Sequence, residues 1–278
     1  MTTRASITPL KQEISLGAGD KVDLEITIFN LGDEVMETSL VPEPLSVEGE
    51  NYDLNLSTMT NRTKIVDWIK FPEGSRFSVP VGESVTVPFR VEVPEDAPSG
   101  GQYAVLAAQF WSNNIDSSHL ATVGAIAMRL YAQIAGENVI EGKILSNEIP
   151  AIVIGDGFTA HFEAENTGNL DFYVNDTFRV VDFFSHKILY DDAETAEPSV
   201  MFPETTRFLT NEWQGVGIYN VTQNVSLLDE TSEQTGTVIV IPVWLVVVFG
   251  LAVVAGIWGI IWKITKKKRL KKINKFKK

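Results

Sequence analysis

The sequence contains no cysteine among its 278 residues. Disulfides, thiolate metal sites and cysteine nucleophiles are therefore excluded, and any domain must be held together by its apolar core. Histidine is scarce as well, because His119, His161 and His186 stand alone, without a neighbour at metal-ligand spacing. GxSxG, P-loop and HExxH signatures are also missing. We therefore predict that the chain is not an enzyme and has no catalytic residue, metal site or cofactor.

Acidic residues are missing from one part of the chain and abundant in the rest. Residues 263–278 hold ten of the 23 Lys and Arg and no acid, so the remainder carries 36 acids against 13 bases, a net charge of −23. A surface this acidic repels phosphates, which excludes nucleic acid as a partner of the main part of the chain.

Charged side chains are also missing from the 25 residues Val238–Trp262. As a helix this run would be roughly 37 Å long, which exceeds the ~30 Å hydrocarbon core of a bilayer. Trp244 lies near one end, and Trp258 and Trp262 near the other, as interfacial anchors do. The alternative is a buried core helix followed by a solvated tail. We predict a transmembrane helix over 238–262.

A basic cytoplasmic tail is predicted to follow over residues 263–278. The bases counted as part of the membrane anchor are Lys263, Lys266, Lys267, Lys268 and Arg269. The positive-inside rule places them in the cytoplasm and the preceding portion outside the cell. An apolar export signal is not visible at the start, so we expect that a signal peptide has been removed from this sequence. Small residues at Ala252 and Gly256 would permit self-association of the helix.

Alternating apolar residues dominate the portion before the helix. Lys21–Asn30 and Ser84–Val93 have a period of two, which is typical of half-buried strands. Gln102–Trp111 is more continuously apolar. Ala121–Ala135 is also apolar throughout and is either a long buried strand or a helix; we favour a strand. Many short strands separated by turn signals predict an all-β fold of antiparallel sandwiches.

Four marks recur in the same order along the chain, which predicts two tandem immunoglobulin-like domains. An alternating strand comes first and ends at an Asn-x-Gly, which is Asn30-Leu-Gly in one copy and Asn166-Thr-Gly in the other. Val79-Pro80 and Phe202-Pro203 then each precede a strand that leads to Gly101-Gln-Tyr and Gly217-Ile-Tyr. The Gly-x-Tyr pairs are similar to the corner tyrosine of such sandwiches. The first copy carries an insertion over residues 46–70. The predicted units are an N-terminal β-sandwich domain over 1–137, a membrane-proximal one over 138–228, and a short stalk over 229–237.

The order of these segments resembles the WxL-interacting cell-surface proteins of Gram-positive bacteria. The resemblance is carried by ITPLKQEISLGAGDKVDLEITIFNLGD, by FSVPVGESVTVPFRVEVPEDAPSGGQYAVL, by FTAHFEAENTGNLDFYVNDTFRVVD and by the Lys-rich end. It implies a peptidoglycan-associated first domain and a second domain that binds host or matrix ligands. Together these features predict a non-catalytic, membrane-anchored bacterial surface protein that binds cell-wall, matrix or protein partners. The alternative is a structural subunit of a multi-protein surface assembly.

Aromatic residues near the insertion are the candidate partner contacts. Tyr52 and Trp68 flank it, and aromatic side chains are preferred anchors for protein and sugar partners. Core packing is the alternative use of each. Acidic clusters at Asp191-Asp192, at Glu48 with Glu50 and Asp53, and at Asp229-Glu230 leave calcium binding open.

Overall fold

The computed structural model describes residues 4–49, 52–112 and 124–275, and side chains in these ranges except at 112 and 264–275. Within these ranges, the first unit consists of eleven strands and one short helix. Their bounds are β1 (Ala5–Thr8), β2 (Lys11–Leu16), β3 (Lys21–Asn30), β4 (Met36–Pro44), β5 (Ser46–Glu48), β6 (Asp53–Asn55), α1 (Ile65–Trp68), β7 (Ile69–Lys70), β8 (Arg76–Val79), β9 (Ser84–Glu92), β10 (Gly100–Ser112) and β11 (Gly124–Ile134).

Two sheets form the first sandwich. One has the order β1-β3-β9-β7, and the other has the order β2-β11-β10-β4-β8. All pairings are antiparallel except that of β2 with β11, which is parallel. The inward positions of both sheets form one core, whose fully buried members include Ile26, Phe89, Leu106 and Leu130. The predicted period of two in β3 and β9 is the alternation of inward and outward side chains in this sheet pair.

The second unit consists of nine strands, followed by a helix. Their bounds are β12 (Gly142–Glu148), β13 (Ile152–Ile154), β14 (Gly157–Asn166), β15 (Phe172–Asp182), β16 (Ile188–Asp191), β17 (Ser199–Met201), β18 (Thr205–Gln214), β19 (Gly217–Leu227), β20 (Glu230–Ile241) and α2 (Val243–Lys275). One sheet has the order β12-β14-β18, and the other has the order β13-β20-β19-β15-β16, with β17 beside β15. The prediction of an all-β chain with two immunoglobulin-like sandwiches and a C-terminal helix is confirmed.

The two Asn-x-Gly marks have the same structure in both sandwiches. The Asn30 side-chain amide donates to the carbonyls of Glu34 and Val79, and its carbonyl oxygen accepts from the Gly32 N–H. Asn166 repeats this set with Leu170, Met201 and Gly168. Both asparagines are buried. Although Asn-x-Gly often supplies left-handed backbone, neither Asn nor Gly has a positive φ at these two marks. Each asparagine side chain instead joins two loops through its hydrogen bonds.

The predicted stalk and the predicted start of the helix are both wrong. Residues 230–241 form β20, which pairs with β19 from Glu230 to Val240, and α2 begins only at Val243. Val238 and Val240 are buried in the core beside Phe158. The apolar run therefore serves two elements, since its first four residues alternate as a strand and Pro242 separates that strand from the helix. The second sandwich ends at 241, with no linker before α2.

The helix α2 is long and apolar enough to cross a membrane over Val243–Lys263. None of this segment is buried against the sandwiches, and it is the only such helix in the described part of the chain. The alternative of a buried core helix therefore does not hold for this structure. An apolar helix exposed on all sides has no favourable environment in water.

Candidate functional site at the joint between the sandwiches

The insertion of the first sandwich reaches onto the second sandwich. Tyr52 lies in the tight turn between β5 and β6, with φ +59°. Its hydroxyl accepts from the Phe202 N–H at 2.5 Å and lies 2.8 Å from the Thr205 hydroxyl oxygen. Thr205 itself donates to the Phe202 carbonyl, so the Tyr52 hydroxyl donates to Thr205. The ring stacks on Phe202. Tyr52 is therefore a contact between the domains.

The two predicted partner contacts, Tyr52 and Trp68, are both buried. Tyr52 is 9% exposed and Trp68 is 6% exposed. Trp68 packs with Ile65 and Phe89 in the core of the first sandwich. The prediction that these two side chains meet an external partner is therefore wrong. Within the insertion, Tyr52 covers part of the neighbouring domain, and Trp68 covers part of the core of its own domain.

Tyr103 of the first sandwich is hydrogen-bonded to the second sandwich. Tyr103 donates its hydroxyl proton to Asp171 Oδ1 at 2.7 Å and accepts from the Asp171 N–H at 3.1 Å. Burial, followed by the facing Asp171 carboxylate, raises the pKa of Tyr103. The equivalent Tyr219 donates to the Val216 carbonyl of its own chain segment at 2.9 Å, as a corner tyrosine does. The Gly-x-Tyr mark therefore supplies a hydrogen bond within the second sandwich, whereas in the first sandwich it supplies a hydrogen bond to the neighbouring domain.

An aromatic cluster fills the space around this hydrogen bond. The Tyr103 ring meets Phe202 edge-on at 4.9 Å and Tyr131 edge-on at 5.2 Å between ring centroids. Leu45, Tyr52 and Val105 complete the buried group. Edge-to-face pairs at these distances stabilise beyond their buried area, by about 0.5–1.5 kcal/mol each. The joint is thus an apolar interface with a buried polar centre.

An ion pair lies at the margin of the joint. Arg62 donates from Nε at 3.1 Å and from Nη2 at 2.5 Å to Glu204 Oε1, and from Nη1 to the Ser99 carbonyl. Glu204 has φ +59°, whereas Gly82, at the same place in the first sandwich, has φ +72°. A left-handed conformation disfavours Glu relative to Gly. A strained residue is therefore kept where its carboxylate can reach the other domain.

The loop after β14 is hydrogen-bonded to the segment that connects the two sandwiches. Asn169 donates from its side chain to the Glu137 carbonyl and accepts from the Val139 N–H through its side-chain oxygen. Its main-chain carbonyl accepts from the Gly101 N–H at 2.7 Å. The predicted domain boundary at 137/138 falls in this held connection. Short bonds on both sides of a connection oppose hinge motion.

A cleft of about 400 Å³ opens beside the joint. Its lining side chains come from both domains and include Glu13, Tyr103, Tyr131, Asp171 and Tyr173. One wall is β2, which is the edge strand of its sheet. A strand edge presents unpaired N–H and C=O groups to an extended chain. Three of the lining side chains are tyrosines and two are carboxylates.

Lys11 contacts three of the side chains that line this cleft. Its ammonium lies 4.2 Å from the centre of the Tyr131 ring and 3.1 Å from the Tyr173 hydroxyl, and it pairs with Glu13. Burial acts to lower the pKa of Lys11, but the hydrogen bonds to Glu13 and Tyr173 leave it above its usual value. The amine therefore stays charged and is neither a nucleophile nor a proton acceptor near neutral pH. The arrangement suits polar and aromatic recognition.

Four of the acids that left calcium binding open have protein partners. Asp192 accepts from the Phe178 N–H, Asp191 pairs with Arg179, and Glu230 accepts from the Ile144 N–H. Glu48 accepts from the Asn55 side chain. Glu50 lies outside the described residues. In the described ranges, no three His, Asp or Glu side chains are grouped closely enough to hold a metal ion.

The predicted membrane-anchor residues lie along α2. Trp244, Trp258 and Trp262 are all exposed, as is Lys263 at the end of the apolar segment. The side chains of Lys266, Lys267, Lys268 and Arg269, like His119, lie outside the described residues. The structure thus places one tryptophan in the first turn of the helix and the other two about four and about five turns later.

The sequence did not point to the contacts made by Lys11, Arg62, Asp171 and Glu204. The equivalence of Glu204 and Gly82 is visible only in the structure, because Asn30 and Asn166 donate to the carbonyls of Val79 and Met201, each three residues earlier. Both Glu204 and Gly82 have a positive φ. A bulky residue at a position of that kind indicates a local constraint.

Comparisons with known proteins give likenesses of structure only. No protein-family model and no curated protein sequence matches the chain. The class 5 fimbriae chaperone CfaA is similar over 84% of this chain and 99% of its own, with 12% identity and a TM-score of 0.42. The YadV chaperone is similar over 84% and 98%, with 8% identity and a TM-score of 0.44.

A chain of the Salmonella enterica SafA pilin–SafB chaperone complex is similar over 85% of this chain and 96% of its own, with 9% identity and a TM-score of 0.43. Identities near 10% and TM-scores below 0.5 are too low to carry a function from these proteins to this chain.

Proposed function

We propose that this chain is a non-catalytic, membrane-anchored bacterial surface protein that binds protein, matrix or cell-wall partners through its two sandwiches. The observation that carries the proposal is the direct passage from β20 into an exposed apolar helix, with Pro242 alone between them. A 21-residue apolar segment matches the thickness of a bilayer core. The second sandwich would therefore stand directly on the membrane.

The charges on either side of the helix support one orientation. Residues 263–278 carry ten bases and no acid, while the sandwiches are strongly acidic. Bases next to a membrane helix favour the cytoplasmic side. The sandwiches then lie outside the cell, and the basic tail lies against anionic lipid head groups.

The joint supports recognition by the sandwiches as one unit. Because the connection, Tyr52, Tyr103 and Arg62 all hold the two domains together, the cleft beside them has a fixed shape. A preformed site loses less conformational entropy on binding. Its strand edge, tyrosine rings and charged pair favour an extended peptide segment. The resemblance to WxL-interacting proteins favours matrix and wall ligands; peptidoglycan stays a prediction from that resemblance.

Binding by the full chain in nanodiscs tests this proposal. The probes are purified cell walls and immobilised collagen and fibrinogen. Replacing Tyr173, which is 48% exposed in the cleft, with Ser should weaken binding several-fold. Tyr190→Ser is the matched control, because Tyr190 is 44% exposed and lies on β16, away from the cleft. Lack of binding to every probe, or equal loss in both variants, would contradict the proposed recognition.

A structural subunit of a surface assembly is the second candidate function. The observation that favours it is β18, a ten-residue strand at the edge of its sheet that pairs only with β14 in the described part of the chain. Its exposed alternate residues, including Phe208, leave a regular edge for another strand. Gly256 in α2 has open space around it and would also permit helix association. Mild-detergent purification that yields only monomer would contradict this candidate.

A further inference from the structure

Four large apolar side chains surround the point where α2 leaves the second sandwich. Ile154 ends β13 and pairs with Ile241, the last residue of β20. Val216 directly precedes β19, whose first residue pairs with Val240. Phe183 and Phe184 directly follow β15, and the Phe183 N–H donates to the Ile218 carbonyl. All four therefore lie at the same end of one sheet, where these strands begin or end. We call Ile154, Phe183, Phe184 and Val216 the basal rim.

The basal rim is exposed to an unusual degree. Phe184 is 74% exposed, and Ile154, Phe183 and Val216 are also exposed. The two phenylalanine rings meet edge-on at 5.3 Å and so present one aromatic surface. Neighbouring exposed apolar side chains, as opposed to isolated ones, mark contact surfaces.

The turn that carries the aromatic pair has a fixed shape. The Asp182 carboxylate accepts from both the N–H and the hydroxyl of Ser185 at 2.7 Å. The N–H of His186, which has φ +57°, donates to the Asp182 carbonyl. The N–H and hydroxyl of Ser185 hold the pKa of Asp182 below its usual range. These bonds fix the backbone of the turn that carries the two exposed rings.

The charges beside the rim suit a lipid surface. His186 and Lys187 are exposed in the same turn, next to the aromatic pair. Asp182 is engaged with Ser185, and Asp156 is the exposed acid in the loop that follows Ile154. Aromatic rings with basic neighbours are preferred at the boundary of head groups and acyl chains.

With the helix anchored as proposed above, on which this step rests, we infer that the basal rim inserts into the interfacial layer of the same bilayer. A single residue, Pro242, joins the sandwich to α2, so the rim has no room to stand clear of the membrane. Interfacial groups reach roughly 5–10 Å into the head-group boundary. The rim would give the sandwich a second point of attachment and so fix its tilt on the surface.

Single cysteines test the inference, because the chain has none of its own. Phe184→Cys, Val216→Cys, Leu251→Cys and Leu31→Cys are each labelled with a polarity-sensitive fluorophore. Leu251 lies within α2, and Leu31 is an exposed residue at the far end of the first sandwich. The full chain is placed in nanodiscs of phosphatidylcholine and phosphatidylglycerol. Quenching is then measured with lipids that carry a spin label near the head group or near the bilayer centre.

The expected result is a graded pattern. The probe at 251 is quenched best by the deep label. Probes at 184 and 216 are quenched by the shallow label several-fold more than the probe at 31. Val216→Cys keeps the test valid should Phe184→Cys fold poorly, since the two residues lie on separate turns.

Two results would overturn the inference. Quenching at 184 and 216 equal to that at 31 would show a rim in water. Probes shielded from water but unquenched by lipid would show a rim covered by protein, either a second copy or another partner. Failure of quenching at 251 would instead overturn the anchoring itself, so the two proposals fail separately.

Discussion

Tyr103 and Tyr219 occupy equivalent positions in the two sandwiches, but their hydroxyls are bonded to different domains. Tyr219 donates to the carbonyl of Val216, three residues before it, whereas Tyr103 donates to Asp171 of the other sandwich. In each copy the ring lies over the glycine two residues earlier, where a Cβ would clash at Gly101 and would lie 3.1 Å from the Tyr219 hydroxyl oxygen at Gly217. The same turn thus places a tyrosine that bonds within the second sandwich and one that bonds between the two sandwiches. The joint depends on the bond between the sandwiches, which Tyr103 makes.

Replacing Tyr103 with Phe should weaken the joint. The change leaves the Asp171 N–H and carboxylate without their buried partner, which costs about 1–3 kcal/mol. We expect faster proteolysis in the connection over 135–141 and a lower free energy of unfolding. Tyr219→Phe is the matched control, because it removes a bond within one sandwich. Equal proteolysis of both variants would contradict the assigned role of Tyr103.

Alkaline pH should destabilise the joint. Burial raises the pKa of Tyr52, Tyr103 and Tyr131 above the ordinary tyrosine value of 10.0. The folded state therefore favours the neutral phenol, and the stability this supplies is fully present below pH ~10 and lost as pH rises through the folded pKa values. Unfolding followed by circular dichroism should show this loss. Tyr103→Phe should have a shallower alkaline decline than the parent, and an unchanged decline would contradict it.

The ion pair of Arg62 with Glu204 should be separable from the strain at Glu204. Glu204→Ala loses the pair and keeps a side chain at φ +59°, so we expect a lower free energy of unfolding. Glu204→Gly loses the pair but relieves roughly 1 kcal/mol of backbone strain, and should be close to neutral. Urea unfolding measures both variants. Equal destabilisation by Ala and Gly would show that the backbone at 204 is not strained.

Asn30 and Asn166 should be of similar importance to their own sandwiches. Each is buried and takes part in three hydrogen bonds that join two loops. Replacing either with Ala leaves buried backbone carbonyls without a hydrogen-bond donor. We expect the free energy of unfolding to fall by about 2–3 kcal/mol. Urea unfolding provides the measurement, with Asn224→Ala on the exposed part of β19 as the control. A loss no larger than that of the control would contradict the structural role.

A charge placed within α2 should detach the protein from membranes. Leu251→Arg puts a guanidinium within the apolar segment, which costs about 2.5–3.5 kcal/mol near the centre of a spanning helix. We expect reduced retention of the protein in carbonate-washed membranes. Leu31→Arg, at an exposed position of the first sandwich, should leave retention unchanged. Equal retention of the two variants would argue against α2 as the anchor.

Local pattern in the sequence was enough to predict the strands but not the end of the second sandwich. The bounds of β3 match the predicted Lys21–Asn30 because its alternation is regular. The last strand was missed because its apolar residues run without a break into a longer apolar segment. Val238 and Val240 are core residues only because Phe158 and Tyr219, far away in sequence, lie opposite them. Tertiary packing, marked in the sequence only by Pro242, decides that boundary.

The joint could not be predicted for the same reason. Tyr52 and the Phe202 N–H are 150 residues apart, and Tyr103 and Asp171 are 68 apart. Its residue type and its place in the insertion identified Tyr52 as a contact for a partner, but the domain that it contacts is part of the same chain. Exposure depends on the neighbouring domain, and no pattern within the insertion reports it.

Labelling of single cysteines on intact cells tests the central claim most directly. Because the chain lacks cysteine, Leu31→Cys and Lys275→Cys each provide one reactive site, on either side of the apolar segment. A membrane-impermeant maleimide should label position 31 on intact cells and position 275 only after the membrane is opened. Labelling of 275 on intact cells, or of neither site until the cells are opened, would contradict a surface protein held by α2.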